Sequence, residues 1–542
     1  TDILKEEWGF GGLVVSDWSA VNDRVEGLKA GLDLEMPYAR RDALIIQAIK
    51  DGVLTEDELD RAVERVLKIV FMAENNKRGN ALCDMQAHHV LARQAARESM
   101  VLLKNDGGIL PLRKEGTMAV IGAFARQPRY QGGGSSHINP TIVDDVYDEI
   151  GKIAGDRVRM RYAQGYQIDV RAGALSRNEF SSLSDAADMV LIREAEEVAT
   201  KSDVAVVFAG LPESYESEGF DRRHLRIPEG HRQLIEAVAA VQPNTVVVLG
   251  NGSAIEMPWI NQVKGVLEGY LGGQAFGGAV ADLLFGNANP CGKLAETFPQ
   301  RLNDTPAYLH FPGEKDKVEY SEGLFVGYRY YDAKGLSPLF HFGYGLSYTT
   351  YAYTGMAVEQ SGEKVTVDVT VKNTGQIAGK EIVQLYVRDV ESSVTRPPKE
   401  LKGFEKVDLA PGEEKTVRFI LGMRAFAYYD TSLHDWRVED GAFDILIGQS
   451  ADRIVCSERI IIQSSCHLKK AYTRNSAVKD IMDNPGVVKL LEKELMETMA
   501  IFGVENQEDN NSLLQNMPLR ALIPFSTLTE EKLHDILEKI NA

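Results

Sequence analysis

The fold of this 542-residue chain is decided first at Gly12-Leu13-Val14-Val15-Ser16-Asp17-Trp18. Residues 13–15 form an unbroken apolar run after two glycines, a pattern typical of a parallel strand that is covered on both faces. A carboxylate and an aromatic ring follow directly, and residues 21–30 have the apolar spacing of an amphipathic helix. This order predicts a βα unit whose chemistry lies at the carboxyl end of the strand. Alternatively, Asp17 only caps the helix that follows.

The composition places the chain among globular proteins that do not bind nucleic acid. Hydrophobic residues make up 44% of it and charged residues 26%, which is an ordinary balance. The net charge of −19 would repel the phosphates of a nucleic acid. Since no apolar run approaches the roughly 20 residues of a membrane span, we expect no membrane partner. The length exceeds what one hydrophobic core can organise and predicts several domains.

The cysteine pattern indicates neither a zinc site nor a disulfide framework. Four cysteines are scattered along the chain without a CxxC pair, at positions 83, 291, 456 and 466. Unpatterned cysteines favour a reducing, cytoplasmic compartment. Cys83 lies near His88 and His89 in the sequence, but no second cluster accompanies them, so we interpret all three as surface residues. We therefore expect no metal at these residues, and the sequence offers no site for another metal or for an organic cofactor.

Residues 1–76 are predicted to hold two βα units, the last part of a (β/α)8 barrel. The second strand is assigned to residues 32–36, and helices are assigned to 40–52 and 56–74, the latter capped by Thr55. Residues 77–97 are interpreted as a linker and helix. Because two units cannot close a barrel of eight, we expect a missing N-terminal segment to supply the earlier strands.

Residues 98–300 are predicted to form an α/β domain. Short apolar runs that indicate buried strands lie at 118–122, 204–210, 245–249 and 265–269. Helical patterns accompany them at 187–200, 230–241 and 275–285. This alternation predicts a largely parallel sheet with helices on both faces.

The last third of the chain changes pattern twice. Residues 301–351 are rich in Pro, Gly and aromatics and are interpreted as an irregular connector. Residues 352–462 have an apolar period of two with frequent turns, which predicts a small β-sandwich. Residues 463–542 are polar with a helical stripe at Leu490, Leu491, Leu495 and Met499, which predicts a helical tail.

An acidic loop follows the predicted strand 204–210. Glu213, Glu216 and Glu218 lie within six residues, at the place where open α/β sheets bind ligands. A solvated loop with local ion pairs would show the same pattern. One ionised and one protonated carboxylate are what glycoside hydrolysis requires, so Asp17 with a glutamate of this loop is a candidate pair.

Other motifs are weaker. Residues 132–136 read Gly-Gly-Gly-Ser-Ser and lack both the Lys-Ser/Thr ending of a phosphate-binding loop and the GxGxxG spacing. There is no GxSxG elbow and no HExxH metal motif. The tripeptides that begin at Asn251, Asn303 and Asn510 fit the glycosylation pattern.

A set of longer motifs runs through the chain in order. They are EEWGFGGLVVSDW (6–18), AGLDLEMP (30–37), ESMVLLKNDGGILPL (98–112), GGGSSHINP (132–140), ESEGFDRRHLRIP (216–228), CGKLAETFP (291–299), EGLFVGYRYYD (322–332), FGYGLSYT (342–349) and VKNTGQIAGKEIVQLYV (371–387). With them the chain resembles the C-terminal portion of the family-three glycoside hydrolases, of the multidomain β-glucosidase type.

The resemblance implies a fold and a set of roles. The family combines a (β/α)8 barrel, an α/β sandwich and a fibronectin type III-like domain. Its nucleophile is the aspartate of the SDW motif, here Asp17. Its general acid/base precedes a Gly-aromatic pair on the loop of the second domain, here Glu218, with Glu216 as the rival position. Trp18, Glu216 and Met36 are expected to contact the substrate, with Trp18 stacking on the sugar unless it only packs at the barrel rim.

The implied activity is that of a retaining, exo-acting β-glycosidase, most simply a β-glucosidase that acts on a glycoside or oligosaccharide. β-Xylosides and α-arabinofuranosides are alternative substrates within this architecture. In the family, most groups that hold the terminal sugar come from the earlier barrel strands. The chain therefore either works with a missing N-terminal barrel segment or as a homo-oligomer, or it is a non-catalytic, carbohydrate-binding remnant.

Overall fold

The structure is a computed structural model that describes residues 1–168, 187–464, 472–482, 485–501 and 515–541. Its described residues divide into two compact units, Thr1–Gln86 and Ala87–Ala542. Cys466 and the tripeptide that begins at Asn510 lie outside the described residues. Within the described ranges, we find no helix with the length and apolarity that crossing a membrane requires.

The first unit consists of helices around one short parallel pairing. Its helices are α1 (Arg24–Lys29), α2 (Asp42–Lys50), α3 (Glu56–Asn75) and the first residues of α4 (Met85–Ser99). Helix α3 begins with the capping box of Thr55 and Glu58 that favours a helix start at this point. The expected buried strand at 13–15 is reduced to one parallel bridge, between Val15 and Leu34.

The expectation that residues 13–15 are covered on both faces is wrong for this chain. Val15 is 47% exposed. The physical reason is that the pairing with Leu34 is the one parallel contact of this segment among residues 1–86, so the strand has a neighbour on one edge only. An apolar run alone predicts burial but does not provide the second neighbour.

Helix α1 begins three residues later than the predicted helix 21–30, because its cap is Asp23. The Asp23 carboxylate accepts hydrogen bonds from the backbone amides of Val25 (2.9 Å) and Glu26 (3.0 Å). This is the usual arrangement of an N-cap aspartate. The alternative in which Asp17 caps this helix is therefore wrong, and Asp17 is left for another role.

Asp33 ties the first unit together. Its buried carboxylate pairs with Lys5 at 3.2 Å and with Arg65 at 2.9 Å, and it accepts the Val14 amide at 2.9 Å. Burial alone would raise the pKa of Asp33, but these hydrogen bonds and the Lys5 charge together lower it. The carboxylate thereby joins the bridge segment to α3 and to the N-terminal turn.

The second unit is built on a six-stranded sheet with the strand order β1-β6-β5-β4-β2-β3. Its strands are β1 (Val101–Asn105), β2 (Gly116–Ile121), β3 (Val158–Ala163), β4 (Val204–Gly210), β5 (Thr245–Gly250) and β6 (Gly265–Glu268). Strands β2 to β6 pair in parallel, whereas β1 is antiparallel to β6. The continuous burial of β4 and β5 agrees with their unbroken apolar sequences.

Helices cover this sheet and complete its core. They are α5 (Val146–Ala154), α6 (Met189–Thr200), α7 (Glu229–Val241) and α8 (Phe276–Leu284). Helix α8 is buried along its whole length. The sequence analysis predicted neither α5 nor β3. Strand β3 is an edge strand that alternates apolar residues with Arg159 and Arg161, so it lacks the continuous apolar run of its neighbours.

The β-sandwich that follows has two main antiparallel sheets and a hairpin. One sheet has the order β10-β9-β14-β15, the other β11-β8-β7, and the hairpin is β12-β13. The strands are β7 (Tyr351–Ser361), β8 (Lys364–Asn373), β9 (Gly379–Asp389), β10 (Glu400–Leu409), β11 (Glu414–Gly422), β12 (Tyr428–Asp430), β13 (Asp435–Arg437), β14 (Gly441–Gly448) and β15 (Ile454–Ile462). Glu98 of α4 binds Lys380 of β9 at 2.7 Å, which joins the sandwich to the α/β part.

Among the residues that the structure describes, the connector and the tail add four more α-helices. They are α9 (Tyr328–Lys334), α10 (Val478–Met482), α11 (Pro485–Ile501) and α12 (Glu530–Asn541). Leu491 and Leu495 enter the core of the tail with Met499 packed against it. Leu490 does not, since it lies on the exposed side of α11.

Candidate active site

Asp17 lies on an exposed turn of the first unit. Its carboxylate accepts the backbone amide of Trp18 at 2.6 Å. The Ser16 hydroxyl accepts the Met36 amide at 2.8 Å, and the Ser19 amide donates to the Met36 carbonyl at 2.9 Å. These bonds hold Asp17, Trp18 and Met36 near one another, with the Trp18 side chain 65% exposed. An exposed carboxylate beside an exposed indole is suited to contact a sugar.

Glu218 is presented by the loop between β4 and α7. The side chain is exposed, and its Oε2 accepts the backbone amide of Ser135 at 2.5 Å. The hydrogen bonds from Ser135 lower the pKa of Glu218, because they favour the ionised carboxylate. Gly134 packs directly on this side chain: a Cβ added there would lie 2.6 Å from the Glu218 Cβ.

Glu216 points elsewhere, although it is only two residues away. Its Oε2 accepts the Gly252 amide at 2.6 Å, and its Oε1 accepts the Ser253 hydroxyl. Arg129 also donates to the Glu216 backbone carbonyl at 3.0 Å. Both carboxylate oxygens of Glu216 are therefore engaged within the protein, whereas the Glu218 carboxylate faces outward.

Arg222 holds the other end of the same loop. Its Nη1 donates to the Ser253 hydroxyl at 2.7 Å and to the Ala254 carbonyl at 2.9 Å. Burial lowers the pKa of Arg222, and the neighbouring Glu216, Glu296 and Glu256 oppose this effect. The loop is thus fastened on both sides of Glu218.

Two further carboxyl groups lie beneath the loop. Glu268, at the end of β6, is fully buried and accepts hydrogen bonds from Asn251 Nδ2 (3.1 Å) and the Tyr270 amide (3.0 Å). Burial raises the pKa of Glu268 to about 8. Burial also raises the pKa of Glu296, which binds the Ala254 amide. Both groups hold the segment that follows β5.

A cleft of about 460 Å³ adjoins the start of the Glu218 loop. Its wall includes a contact between His137 Nε2 and Glu213 Oε1 at 2.7 Å. The polar and aromatic residues that line it include Arg126, Arg129, Tyr130, His137, Asp145 and Glu213. These side chains could bind a polyhydroxylated ligand through hydrogen bonds.

Several residues of this region were missed or misassigned from sequence. Gly134 and Ser135 belong to the GGGSSHINP motif, whose sequence indicated a family resemblance and a weak match to a phosphate loop but no contact with Glu218. Asn251 fits a glycosylation pattern, but its side chain is fully buried and bonded to Glu268 and is therefore not accessible to that modification. Asn251 directly follows β5 at the carboxyl edge of the sheet, and this position could have indicated that the segment belongs to the candidate site.

The Cys83–His89 stretch forms no metal site in the described residues. His89 is buried and pairs with Asp144 at 3.1 Å. Within the described part of the chain, no three His, Cys, Asp or Glu side chains are grouped to hold a metal ion. The surface interpretation of His89 is therefore wrong, because its ring is part of the α/β core.

The class of protein follows from the order of these parts along the sequence. A βα unit ending in aspartate, then an α/β sheet with a glutamate at its carboxyl edge, then a small β-sandwich is the domain order of a multidomain glycoside hydrolase. Family models match each part: the glycosyl hydrolase family 3 N-terminal domain over residues 1–69, its C-terminal domain over 100–328, and a fibronectin type III-like domain over 381–451. The chain belongs to glycosyl hydrolase family 3.

Two curated relatives illustrate the range of the family. The thermostable beta-glucosidase B of Acetivibrio thermocellus is 56% identical over 553 residues, which cover 100% of this chain and 71% of the relative. An exo-alpha-(1->6)-L-arabinopyranosidase of Bifidobacterium longum is 44% identical over 467 residues, which cover 83% of this chain and 59% of the relative. The chain thus spans about three-fifths to seven-tenths of the length of these relatives.

Solved structures show the same fold. The family 3 beta-glucosidase of Bifidobacterium adolescentis superposes with a TM-score of 0.82 at 42% identity, covering 91% of this chain and 70% of that one. The beta-glucosidase of Kluyveromyces marxianus, solved in complex with glucose, gives a TM-score of 0.77 at 28% identity, covering 86% and 74%. The fold is therefore that of a multidomain enzyme combining α/β and β parts.

Proposed function

We propose that the chain carries the nucleophile and the acid/base of a retaining, exo-acting β-glucosidase. The observation that carries the proposal is the outward-facing Glu218 carboxylate, held by Ser135 at the carboxyl edge of the sheet. The 56% identity to a thermostable beta-glucosidase B along the whole chain supports the choice of substrate. Asp17, which caps no helix and is exposed, is the proposed nucleophile.

The proposed reaction proceeds in two displacements. Asp17 attacks the anomeric carbon while Glu218 protonates the glycosidic oxygen, so that the C–O bond breaks and the aglycone leaves as an alcohol. Glu218, now ionised, then takes a proton from water, which attacks the glycosyl-aspartate and releases glucose with retained configuration. This mechanism requires the two carboxyl groups to be about 5–5.5 Å apart when substrate is bound. Trp18 and Met36 are proposed to contact the sugar beside Asp17.

The hydrogen bond from Ser135 suits the second step better than the first. It lowers the pKa of Glu218 and so favours the carboxylate that acts as base. For the acid step, the group must hold a proton. We attribute that to the bound state, in which the negative charge of Asp17 and the exclusion of water by the sugar raise the pKa again.

Substitution of the two carboxylates tests this assignment. Asp17→Asn is expected to abolish hydrolysis of p-nitrophenyl β-glucoside. Asp23→Asn is the matched control, since asparagine caps a helix as well as aspartate does. Glu218→Ala is expected to lower kcat by a factor on the order of 10²–10⁴. Azide should restore turnover of Glu218→Ala and yield β-glucosyl azide, because azide attacks without a general base. Unchanged activity in Glu218→Ala, with loss in Glu216→Ala, would overturn the assignment.

A second substrate has specific support. Two relatives at 44% and 45% identity are exo-alpha-(1->6)-L-arabinopyranosidases. We therefore propose p-nitrophenyl α-L-arabinopyranoside as the first alternative to test, ahead of the β-xyloside and the α-arabinofuranoside. The ratio of kcat/KM for the glucoside and the arabinopyranoside decides between the two activities. If neither compound is hydrolysed while sugar binding persists, the chain is a carbohydrate-binding remnant.

The first unit is proposed to work together with additional barrel elements. Large apolar side chains are exposed along its helices and loops, among them Trp8, Leu44, Ile46, Val70 and Phe71. Such a surface in a folded protein usually marks an interface. We propose that further βα segments of a barrel cover it in the active enzyme, rather than a second copy of the chain. Light scattering of the chain alone and with an added barrel segment distinguishes the two: self-association alone supports the second copy.

A further inference from the structure

We propose that Glu216 and Arg222 are positioning residues that clamp the loop of Glu218 to one short segment, Asn251–Ala254. This inference rests on the proposed function of Glu218 as acid/base, but the clamp itself is defined by contacts that do not involve substrate. It assigns to Glu216, the rival candidate for catalysis, a role that acts through Glu218 rather than on the sugar.

The first anchor lies two residues before Glu218. The Glu216 carboxylate accepts one hydrogen bond from the Gly252 amide at 2.6 Å and another from the Ser253 hydroxyl. Hydrogen bonds to a charged acceptor are stronger than neutral ones. A glutamate engaged at both oxygens cannot also donate or accept a proton on a substrate without breaking this anchor.

The second anchor lies four residues after Glu218. Arg222 donates to the same Ser253 hydroxyl at 2.7 Å and to the Ala254 carbonyl at 2.9 Å. The Ser253 hydroxyl therefore donates to Glu216 while it accepts from Arg222. One hydroxyl group joins the two anchors, and Glu218 is carried on the part of the loop between them.

The segment Asn251–Ala254, which accepts both anchors, is itself held in place by carboxyl groups beneath the loop. Asn251 donates to the Ser253 carbonyl at 3.0 Å and to the buried Glu268 at 3.1 Å. The Ala254 amide binds Glu296. Since Asn251 directly follows β5 and Glu268 ends β6, the clamp is connected to the rigid core of the sheet. A loop fastened in this way can hold a carboxylate within the narrow tolerance that proton transfer needs.

Hydrogen exchange measures the clamp independently of activity. Ser253→Ala removes the shared hydroxyl with the smallest change of volume, and Arg222→Ala and Glu216→Gln weaken the anchors singly. Arg223→Ala is the matched control, because this neighbouring side chain is exposed. We expect amide exchange of residues 213–222 to become at least tenfold faster in Ser253→Ala and Arg222→Ala, and unchanged in Arg223→Ala. Equal exchange in all variants would overturn the clamp.

Leaving-group dependence tests whether the clamp serves Glu218. An alkyl β-glucoside needs protonation of its leaving group, whereas 2,4-dinitrophenyl β-glucoside does not. We expect Ser253→Ala to lower the alkyl-to-aryl ratio of kcat/KM by about tenfold or more, in the direction of the Glu218→Ala effect. A loosened loop with an unchanged ratio would refute the positioning role if Glu218→Ala itself shifts the ratio. If Glu218→Ala does not shift it, the proposed function fails and the clamp stands as a structural feature.

Discussion

Replacement of Gly134 by alanine should misplace Glu218 while leaving both proposed reacting side chains chemically unchanged. Gly134 has a φ of +78°, and an added Cβ would lie 2.6 Å from the Cβ of Glu218. Packed carbon atoms are separated by about 3.5–4.0 Å, so one of the two segments must move by about 1 Å. The Cβ of Glu218 is fixed to its backbone and cannot rotate away, unlike the carboxylate at the end of the side chain.

The expected size of the effect has two parts. A left-handed backbone costs an alanine about 1–2 kcal/mol, which lowers the stability. A shift of about 1 Å in a catalytic group lowers the rate by about 10²-fold, which corresponds to about 2.7 kcal/mol in the activation free energy. We therefore expect kcat/KM for an alkyl β-glucoside to fall about a hundredfold.

Gly335→Ala separates the two parts. Gly335 ends α9 with φ +63° and ψ +31°, and an added Cβ there meets no atom within 4 Å. Both variants should therefore melt at lower temperature, whereas Gly134→Ala alone should lose activity. Steady-state kinetics of both variants, with thermal melting as the companion measurement, provide the comparison. If Gly134→Ala keeps its activity on the alkyl glucoside within about threefold of wild type, far from the 10²-fold loss of a 1 Å shift, this loop does not position Glu218.

Three other predictions concern stability. Asp23→Ala should cost about 1 kcal/mol in a urea melt because α1 loses its cap, whereas Asp17→Asn should cost almost nothing. Asp33→Asn should cost about 3 kcal/mol at neutral pH, since Lys5 and Arg65 lose their buried partner. The pKa of Asp33 is lowered on folding. Calorimetry should therefore show the full difference in stability between wild type and Asp33→Asn above about pH 4, and this difference should disappear as the pH falls through the lowered pKa. Glu268, whose pKa burial raises to about 8, keeps in the folded state a proton that the unfolded chain loses above about pH 4.5. Wild-type stability should therefore fall between about pH 4.5 and about pH 8, by at most about 1.4 kcal/mol per pH unit, and Glu268→Gln should remove this slope in urea melts.

The parts of the fold that sequence predicted are those with a strong local signal. Strands β4 and β5 are unbroken apolar runs between helices, and such runs have few alternatives to a buried parallel strand. Strand β3 lies at the edge of the sheet and contains two arginines, so its period is ambiguous until its neighbour β2 is known. Asp17 and Asp23 show that sequence alone does not identify the residue that caps a helix. Both precede a helix, and only the backbone decides which amide groups each carboxylate reaches.

For the proposed site, sequence motifs indicated candidate residues but not how their side chains are arranged. Motif position pointed to Glu218 over Glu216, and the orientation of the two side chains agrees with the proposed roles. The partners of these side chains come from loops far away in sequence, at residues 133–135 and 251–254. No local pattern connects them. The tripeptide Asn251-Gly252-Ser253 on its own indicates a glycosylation pattern. Its contacts with the Glu218 loop become apparent only once β5, which it directly follows, is placed in the sheet.

The antiparallel pairing of β1 with β6 has a consequence for how the chain folds during synthesis. Val101 lies opposite Glu268 and Asn105 opposite Gly265. Strand β1 is therefore the first strand of this sheet to be synthesised, but its partner β6 is the last. Strands β2, β4 and β5 can pair as they emerge, but β1 must wait with its apolar residues 101–103 uncovered, a state prone to mispairing. A nascent or truncated chain that ends before residue 265 therefore has an unpartnered hydrophobic strand. Chaperone binding to residues 100–105 should weaken when β6 is released and end once Leu346, which bridges Leu102, has followed.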